Sequence, residues 1–251
     1  MNLLVDIGNT RTKCAVTDGG RIVACRSCDA LTADGLDALL AEYPAERAIV
    51  SSTRGPMAET VALIRSRIAD CLEFTQQTPV PIGNAYRTPE TLGLDRLAAA
   101  VGAAAIAPGR NVLIIDCGTA ITIDLVTADG VFRGGCISPG VQLRLQALHE
   151  HTAALPAYLP SDEGLPEGVR EVLLGGTTEE AMVRGVMQSV AFEIEGYAAR
   201  LEGEFADLCI IFTGGDAHFF EKRIKNTIFA DRNPVYCGLD RILEHHVREE
   251  K

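Results

Sequence analysis

Two stretches of the chain carry the same order of apolar and polar positions. The first is LLVDIGNTRTKCAVTDGGRIV, Leu3 to Val23, and the second is LIIDCGTAITIDLVTADGVFRGG, Leu113 to Gly135. Each reads as an apolar strand ending in Asp, a Gly with Thr close behind, a second strand, a Gly-Gly or Asp-Gly turn, and a third strand. The anchor residues Asp6 and Asp116 stand 110 residues apart, about the length of one small domain. One whole-domain repeat therefore fits better than a solenoid of short units. Between the strand clusters, helices are expected over 57–72, 90–107, 140–152 and 178–202. The last carries Val183, Val186, Met187, Val190, Ile194, Tyr197 and Leu201 at steps of three and four, a single apolar stripe. Thr177 and Glu180 have capping-box spacing at its start. A strand follows at Leu208 to Phe212, then Thr213-Gly214-Gly215-Asp216 opens another helix, and a final helix is expected around 239–249. No low-complexity segment or flexible linker is visible. The join is expected at Ala107-Pro108-Gly109-Arg110, giving an N-terminal domain of residues 1–108 and a C-terminal domain of 109–251, with the final helix free to pack on either.

Composition narrows the partners. Net charge is −11 with a pI near 4.9, a balance that argues against a nucleic-acid groove, which would need a basic face. A polyphosphate is still possible, because a few N–H groups and one or two cations can hold it locally. The opening MNLLVDIGNT lacks the basic segment and cleavage site of a signal peptide, and the charge-free run Leu97–Gly109 spans only 13 residues, too short for a bilayer. A cytoplasmic protein that binds neither membrane nor nucleic acid is expected. Eight scattered cysteines read as free thiols of a reducing compartment; Cys25 and Cys28 form a C-x-x-C with no second pair at zinc spacing.

The chemistry concentrates in the turns. In Asp6-Ile7-Gly8-Asn9-Thr10-Arg11-Thr12-Lys13, Gly8 lets a phosphate approach the backbone. Thr10 adds a hydroxyl, Lys13 a cation, and Asp6 can orient Mg²⁺ or its waters. An ordinary hairpin with a satisfied turn aspartate would look the same. The second copy, Asp116-Cys117-Gly118-Thr119, makes that alternative weaker. The strand Ile210–Phe212 followed by Gly214 and Gly215 adds a loop where a base or ribose can lie against the backbone and a helix N-terminus. No P-loop or dinucleotide fingerprint is present. Two phosphate hairpins and a Gly-Gly loop, in this order, resemble the acetate and sugar kinase, heat-shock ATPase and actin superfamily. That resemblance implies an α/β fold of two similar ribonuclease-H-like domains, a duplicated actin-like ATPase fold with an ATP cleft between them.

Between the hairpins lies Tyr86-Arg87-Thr88-Pro89-Glu90-Thr91-Leu92-Gly93-Leu94-Asp95-Arg96. An Asp-Arg pair at the start of an apolar helix can set a carboxylate base beside an anion anchor, although a surface pair in a first helical turn is the commoner occurrence. The set DIGNTRTK, GLDR, DCGTAITID, GGCISPG, GGTTEEA and FTGGD, in this order over nearly the whole chain, resembles type III pantothenate kinase. The resemblance implies ATP-dependent phosphorylation of pantothenate to 4′-phosphopantothenate, the first step of coenzyme A synthesis.

It also implies roles for matching positions. Asp6 through Lys13 and Thr119 would bind ATP, with Gly214 and Gly215 at the nucleoside. Asp95 would be the general base. Tyr86, Gly93, Leu94, Asp95, Arg96 and Thr178 would contact pantothenate, with the Arg96 guanidinium on the substrate's carboxylate. Asp116 would hold a monovalent cation, K⁺ or NH₄⁺, alongside Mg²⁺ on the nucleotide, and the protein would be a homodimer. Thr177-Thr178 stands where the family often has Asn-Thr, so Thr178 can also be read as a first-turn residue beside a Thr177 cap. Three alternatives share the hairpins: another small-molecule kinase, a non-catalytic ATP-binding regulator, and an actin-like filament, whose usual insertions this length lacks.

Overall fold

A computed structural model describes residues 1–158, 173–221, 227–228 and 233–249. The chain opens with β1 (Asn2–Ile7), β2 (Thr12–Asp18) and β3 (Arg21–Cys28), followed by α1 (Ala33–Glu42), β4 (Arg47–Ser52), α2 (Ala58–Arg65) and β5 (Asp70–Glu73). A two-residue strand, β6 (Gly83–Asn84), and a 3₁₀ turn at Pro89–Thr91 lead into α3 (Leu94–Ile106). The strand cluster then recurs as β7 (Val112–Cys117), β8 (Ala120–Thr127) and β9 (Val131–Pro139), followed by α4 (Val141–Glu150) and α5 (Thr178–Glu202). β10 (Cys209–Thr213), α6 (Ala217–Phe220), β11 (Thr227–Ile228) and α7 (Pro234–Glu249) complete the described elements.

The duplication is visible in strand order. The first sheet runs β3-β2-β1-β4-β5, and the second contains β9-β8-β7-β10-β11, the same arrangement, with β6 added beside β9. β1 is antiparallel to β2 and parallel to β4, while β10 and β11 are parallel. Contact density groups Met1–Val112, Asp124–Gly134 and the segment carrying α7 in one compact unit. Leu113–Ile123 and the stretch beginning at Gly135 form the other. The expected join near Gly109 thus lies a few residues before the first change of unit, and α7 belongs with the N-terminal unit.

Strand alternation decides what each face of the first sheet meets. Leu3, Val5 and Ile7 share a core with Leu36 and Leu39 of α1 and Val61 and Ile64 of α2. Asn2, Leu4 and Asp6 point to the opposite face, where α3 and α7 lie. There Asn2 Nδ2 donates to Asp240 Oδ1 (2.9 Å) and Glu244 Oε1 (3.0 Å), and Thr17 Oγ1 donates to Asp240 Oδ1 (2.5 Å). These bonds stitch α7 to β1 and β2.

α3 and α7 cross backbone on backbone. A Cβ on Gly102 would stand 1.9 Å from the Pro234 carbonyl oxygen, and one on Gly238 1.8 Å from that of Ala98. Gly238→Ala should therefore force the helices apart and lower stability by about 1–3 kcal/mol, read by chemical denaturation. Unchanged stability would show that the crossing separates freely.

Three helix bounds differ from the sequence reading. The helix expected over 57–72 ends at Arg65, and Asp70–Glu73 becomes the strand β5 beside β4. The helix expected over 90–107 begins only after Gly93, because Pro89 starts a separate 3₁₀ turn. α7 begins at Pro234, five residues before the expected start, with Asn233 Oδ1 accepting from the Val235 N–H (2.9 Å) and proline at the first helical position. No described helix is long and apolar enough to cross a membrane.

Candidate active site

The first phosphate turn is a tight reversal. β1 and β2 pair Asp6 with Lys13 and Ile7 with Thr12, and the Gly8 N–H closes the turn on the Arg11 carbonyl at 3.1 Å. The loop after β4 braces it from behind. Thr53 donates its N–H (3.0 Å) and Oγ1 (3.3 Å) to the Ile7 carbonyl, and Arg54 Nε donates to the Gly8 carbonyl (3.0 Å). With those carbonyls engaged, Asn9, Thr10 and Arg11 form the exposed rim, and Arg11 also lies 3.6 Å from the exposed Asp29. Arg54 was not singled out from sequence, and nothing in SSTRGP marks it as a neighbour of the turn.

Asp6 is the unusual group. It is buried, and its Oδ1 has no hydrogen-bond partner among the described residues. Burial, and next the charge of Asp95, push its carboxyl up to about 6, while Lys13 pulls the other way. Asp6 faces the α3 side of the sheet because it shares the face of Leu4 and Asn2; Asp95 is the second residue of α3. Two sequence-distant carboxylates are thus brought together within one unit.

One hydrogen bond and one bare neighbour set the place of Asp95. Its Oδ1 accepts the Arg96 N–H at 2.8 Å, and a Cβ on Gly93 would come within 2.6 Å of the same oxygen. Gly93 is therefore required for this carboxylate to fold back onto the helix start. The first-turn position also sets the charge near the positive end of the helix dipole.

Arg96 has a fuller set of partners than the sequence suggested. It is 6% exposed; Nε lies 3.0 and 3.2 Å from the two Asp124 oxygens and Nη2 lies 2.5 Å from Oδ1. The guanidinium carbon sits 5.6 Å from the Tyr86 ring centroid and 6.0 Å from that of Phe132. Burial lowers the Arg96 pKa, but the Asp124 hydrogen bond and charge outweigh it, so the group stays cationic, with Tyr86 adding a smaller contribution. The Tyr86 ring packs against Gly134, whose φ of +97° and missing side chain leave room for it. Asp124 and Phe132 were missed from sequence. The signal was an aspartate inside the apolar strand ITIDLV, where a buried charge requires a partner.

The second unit holds the other turn. The Gly118 N–H bonds the Ala120 carbonyl at 3.1 Å, one residue tighter than the Gly8 turn, and the Gly140 N–H bonds the Thr119 carbonyl at 2.9 Å. A Cβ on Gly140 would lie 2.3 Å from the Gly118 carbonyl oxygen. Gly214, at φ +92°, would place one 2.5 Å from Asp116 Oδ1 and 2.4 Å from the Cys117 carbonyl oxygen, and the Asp216 N–H donates to that carbonyl at 3.0 Å. The glycine at 214 is thus demanded by packing against Asp116 and Cys117; Gly215 faces open space. The expected helix N-terminus behind this loop is only the four-residue α6, which is too short to make an anion site.

Thr178 is the exposed first residue of α5. Thr177 caps that helix, its Oγ1 accepting from the Glu180 N–H at 3.2 Å, while the Glu180 carboxylate reaches back to the Gly176 N–H at 2.8 Å. All eight cysteines are free, and no group of three or more His, Cys, Asp or Glu suited to a metal occurs among the described residues. A divalent ion would need phosphate oxygens beside Asp6, whose buried, unpartnered oxygen fits that use.

The sequence as a whole has close relatives. The family model described as type III pantothenate kinase matches residues 2–200. The type III pantothenate kinase of Phocaeicola vulgatus is 39% identical over 247 residues, covering 98% of this chain and 99% of its own. That of Porphyromonas gingivalis strain W83 is 39% identical over 246 residues, again covering 98% and 99%. Among solved structures, a conserved Campylobacter jejuni protein assigned to the Baf family of transcriptional activators aligns with TM-score 0.61 at 20% identity, covering 98% of this chain and 99% of that one. The activator of 2-hydroxyisocaproyl-CoA dehydratase from Clostridium difficile, with bound ADPNP, aligns with TM-score 0.53 at 14% identity, covering 99% and 95%. These two likenesses bear on the fold alone, whereas the near full-length sequence matches place the chain in a family: it belongs to the type III pantothenate kinases.

Proposed function

We infer that this protein transfers the γ-phosphoryl group of ATP to the primary hydroxyl of pantothenate, forming 4′-phosphopantothenate for coenzyme A synthesis. The observation that carries the chemistry is Asp95. It is half-buried at the start of α3, one oxygen is fixed by the Arg96 N–H, and it stands in the field of Asp6. Such a carboxylate can take the proton of an alcohol as its oxygen attacks phosphorus. The Gly8 turn and Lys13 would receive the polyphosphate, with Thr119, Gly214 and Gly215 completing the nucleotide contacts. Tyr86, Gly93, Leu94, Arg96 and Thr178 would hold pantothenate.

Asp6 would hold Mg²⁺, directly or through water, and that ion would neutralise charge on the transferring phosphate. Asp116, lying against Gly214, would hold K⁺ or NH₄⁺. Homodimeric assembly rests on the family resemblance alone, and a cytoplasmic location on the free thiols, which suit a reducing compartment.

The direct test is ADP release from MgATP and potassium, with and without pantothenate, and mass analysis of the product. ADP formation should depend on pantothenate and yield 4′-phosphopantothenate. Equal release without it, or a preference for hexoses, overturns the reading. The cation has its own test. Activity should be low in sodium or Tris and rise saturably with potassium or ammonium, and Asp116→Asn should shift that midpoint and raise KM for ATP. Full activity without a monovalent ion, unchanged in Asp116→Asn, would leave Asp116 as a turn residue.

A further inference from the structure

We propose that Asp124 is a positioning residue for the acceptor substrate, acting through the guanidinium of Arg96 and, beyond it, the ring of Tyr86. The inference rests on the reading of Arg96 and Tyr86 as pantothenate contacts. Its own basis is the geometry around Asp124. The carboxylate is 1% exposed on β8 and engages two donor nitrogens of Arg96. A two-point pair of this kind fixes the plane of the guanidinium as well as its place. That plane stands near two rings, Tyr86 on one segment and Phe132 on β9, and Tyr86 is backed by the bare Gly134. The two rings lie 6.0 Å apart at 34°. Asp124 thus holds a four-residue stack of which two members would meet substrate.

The pair also tunes charge. A guanidinium sharing its charge with a buried carboxylate attracts a substrate carboxylate less strongly than a free one. What Asp124 supplies is orientation, which favours one placement of an anionic group over many. A residue with this role changes acceptor binding and leaves the phosphoryl-transfer step alone, because Asp95 keeps its own hydrogen bond to the Arg96 backbone.

Steady-state kinetics of Asp124→Asn and Asp124→Glu test this, with pantothenate and ATP varied separately. Asp124→Asn should raise KM for pantothenate about 10-fold or more, with kcat and KM for ATP within about 3-fold of the parent. Asp124→Glu retains the charge and should recover part of the loss; it also decides the matter if Asp124→Asn, which leaves Arg96 buried without its counter-ion, fails to fold. Arg96→Gln should raise KM for pantothenate likewise, and the double variant Arg96→Gln/Asp124→Asn should be no worse than Arg96→Gln. A fall in kcat at unchanged pantothenate KM would overturn the inference, because Asp124 would then act on the base. So would parallel losses in both substrates' KM and in Tm for the Glu variant. If Arg96→Gln raises KM for pantothenate while the Asp124 variants do not, only the inference fails. If Arg96→Gln leaves that KM unchanged, the assignment of Arg96 fails and takes the inference with it.

Discussion

Asp95→Asn should lower kcat by about 10²–10⁴-fold while leaving KM for ATP within a few-fold of the parent. The amide keeps the shape of the carboxylate, and its oxygen can still accept the Arg96 N–H at the start of α3, so the helix end remains satisfied. What it loses is the capacity to take a proton from the alcohol. A second consequence separates this loss from indirect damage. Asp95 helps hold the Asp6 carboxyl up at about 6, so removing its charge makes Asp6 easier to ionise. The acid side of the kcat/KM profile should therefore move to lower pH in the variant, even as its plateau falls. Near-normal turnover in folded Asp95→Asn would make Asp95 a helix-end residue and nothing more.

Much of this site was legible in the sequence because turns and alternation are local. Asp6-Ile7-Gly8 and Asp116-Cys117-Gly118 announced themselves as paired reversals, and the observed β3-β2-β1-β4-β5 order recurs as β9-β8-β7-β10-β11. The long amphipathic run gave α5 its bounds, Thr178–Glu202. What escaped depends on contacts between distant segments. Asp124 acquires meaning only when β8 is beside the start of α3. Gly140 and Gly214 look like loop glycines until the Gly118 turn packs against them. The α3–α7 crossing could not be read either, since Gly102 and Gly238 each sit in ordinary helical sequence and only their meeting explains them. Other misses were local and avoidable. α1 has Thr32 as its cap and Leu36 and Leu39 on one face, and Asn233-Pro234 is a good helix start. Arg96 is a mixed case: its place beside Asp95 at the start of the helix was legible, but the buried partner Asp124, which the fold adds to it, was not.

Asp6→Asn should have opposite effects on stability and on turnover. The sign follows from where the proton sits. Burial and Asp95 raise the folded-state pKa of Asp6 from 3.8 to about 6, so the folded chain holds a proton over a range where the unfolded chain has released it. The stabilising contribution is complete below the unfolded value and is lost as pH rises through about 6. At pH 8 the ligand-free protein therefore carries an ionised, buried carboxylate with an unpartnered oxygen beside a second acid. Asparagine removes that charge, and the ligand-free variant should be more stable at pH 8 by about 1–3 kcal/mol. The difference should shrink toward pH 4, where both side chains are neutral. With MgATP the order should reverse, because on the proposed reading the parent's carboxylate would hold the metal ion and the variant's amide would not. The variant should show a smaller rise in Tm on adding MgATP, and its turnover should fall by about 10²-fold or more. Thermal unfolding at pH 4 and pH 8, with and without MgATP, reads all of these. A ligand-free variant less stable than the parent at pH 8, or a stability difference independent of pH, would mean that Asp6 is already satisfied in the free protein, and its buried oxygen would then be no reason to assign a metal-bound phosphate to this turn.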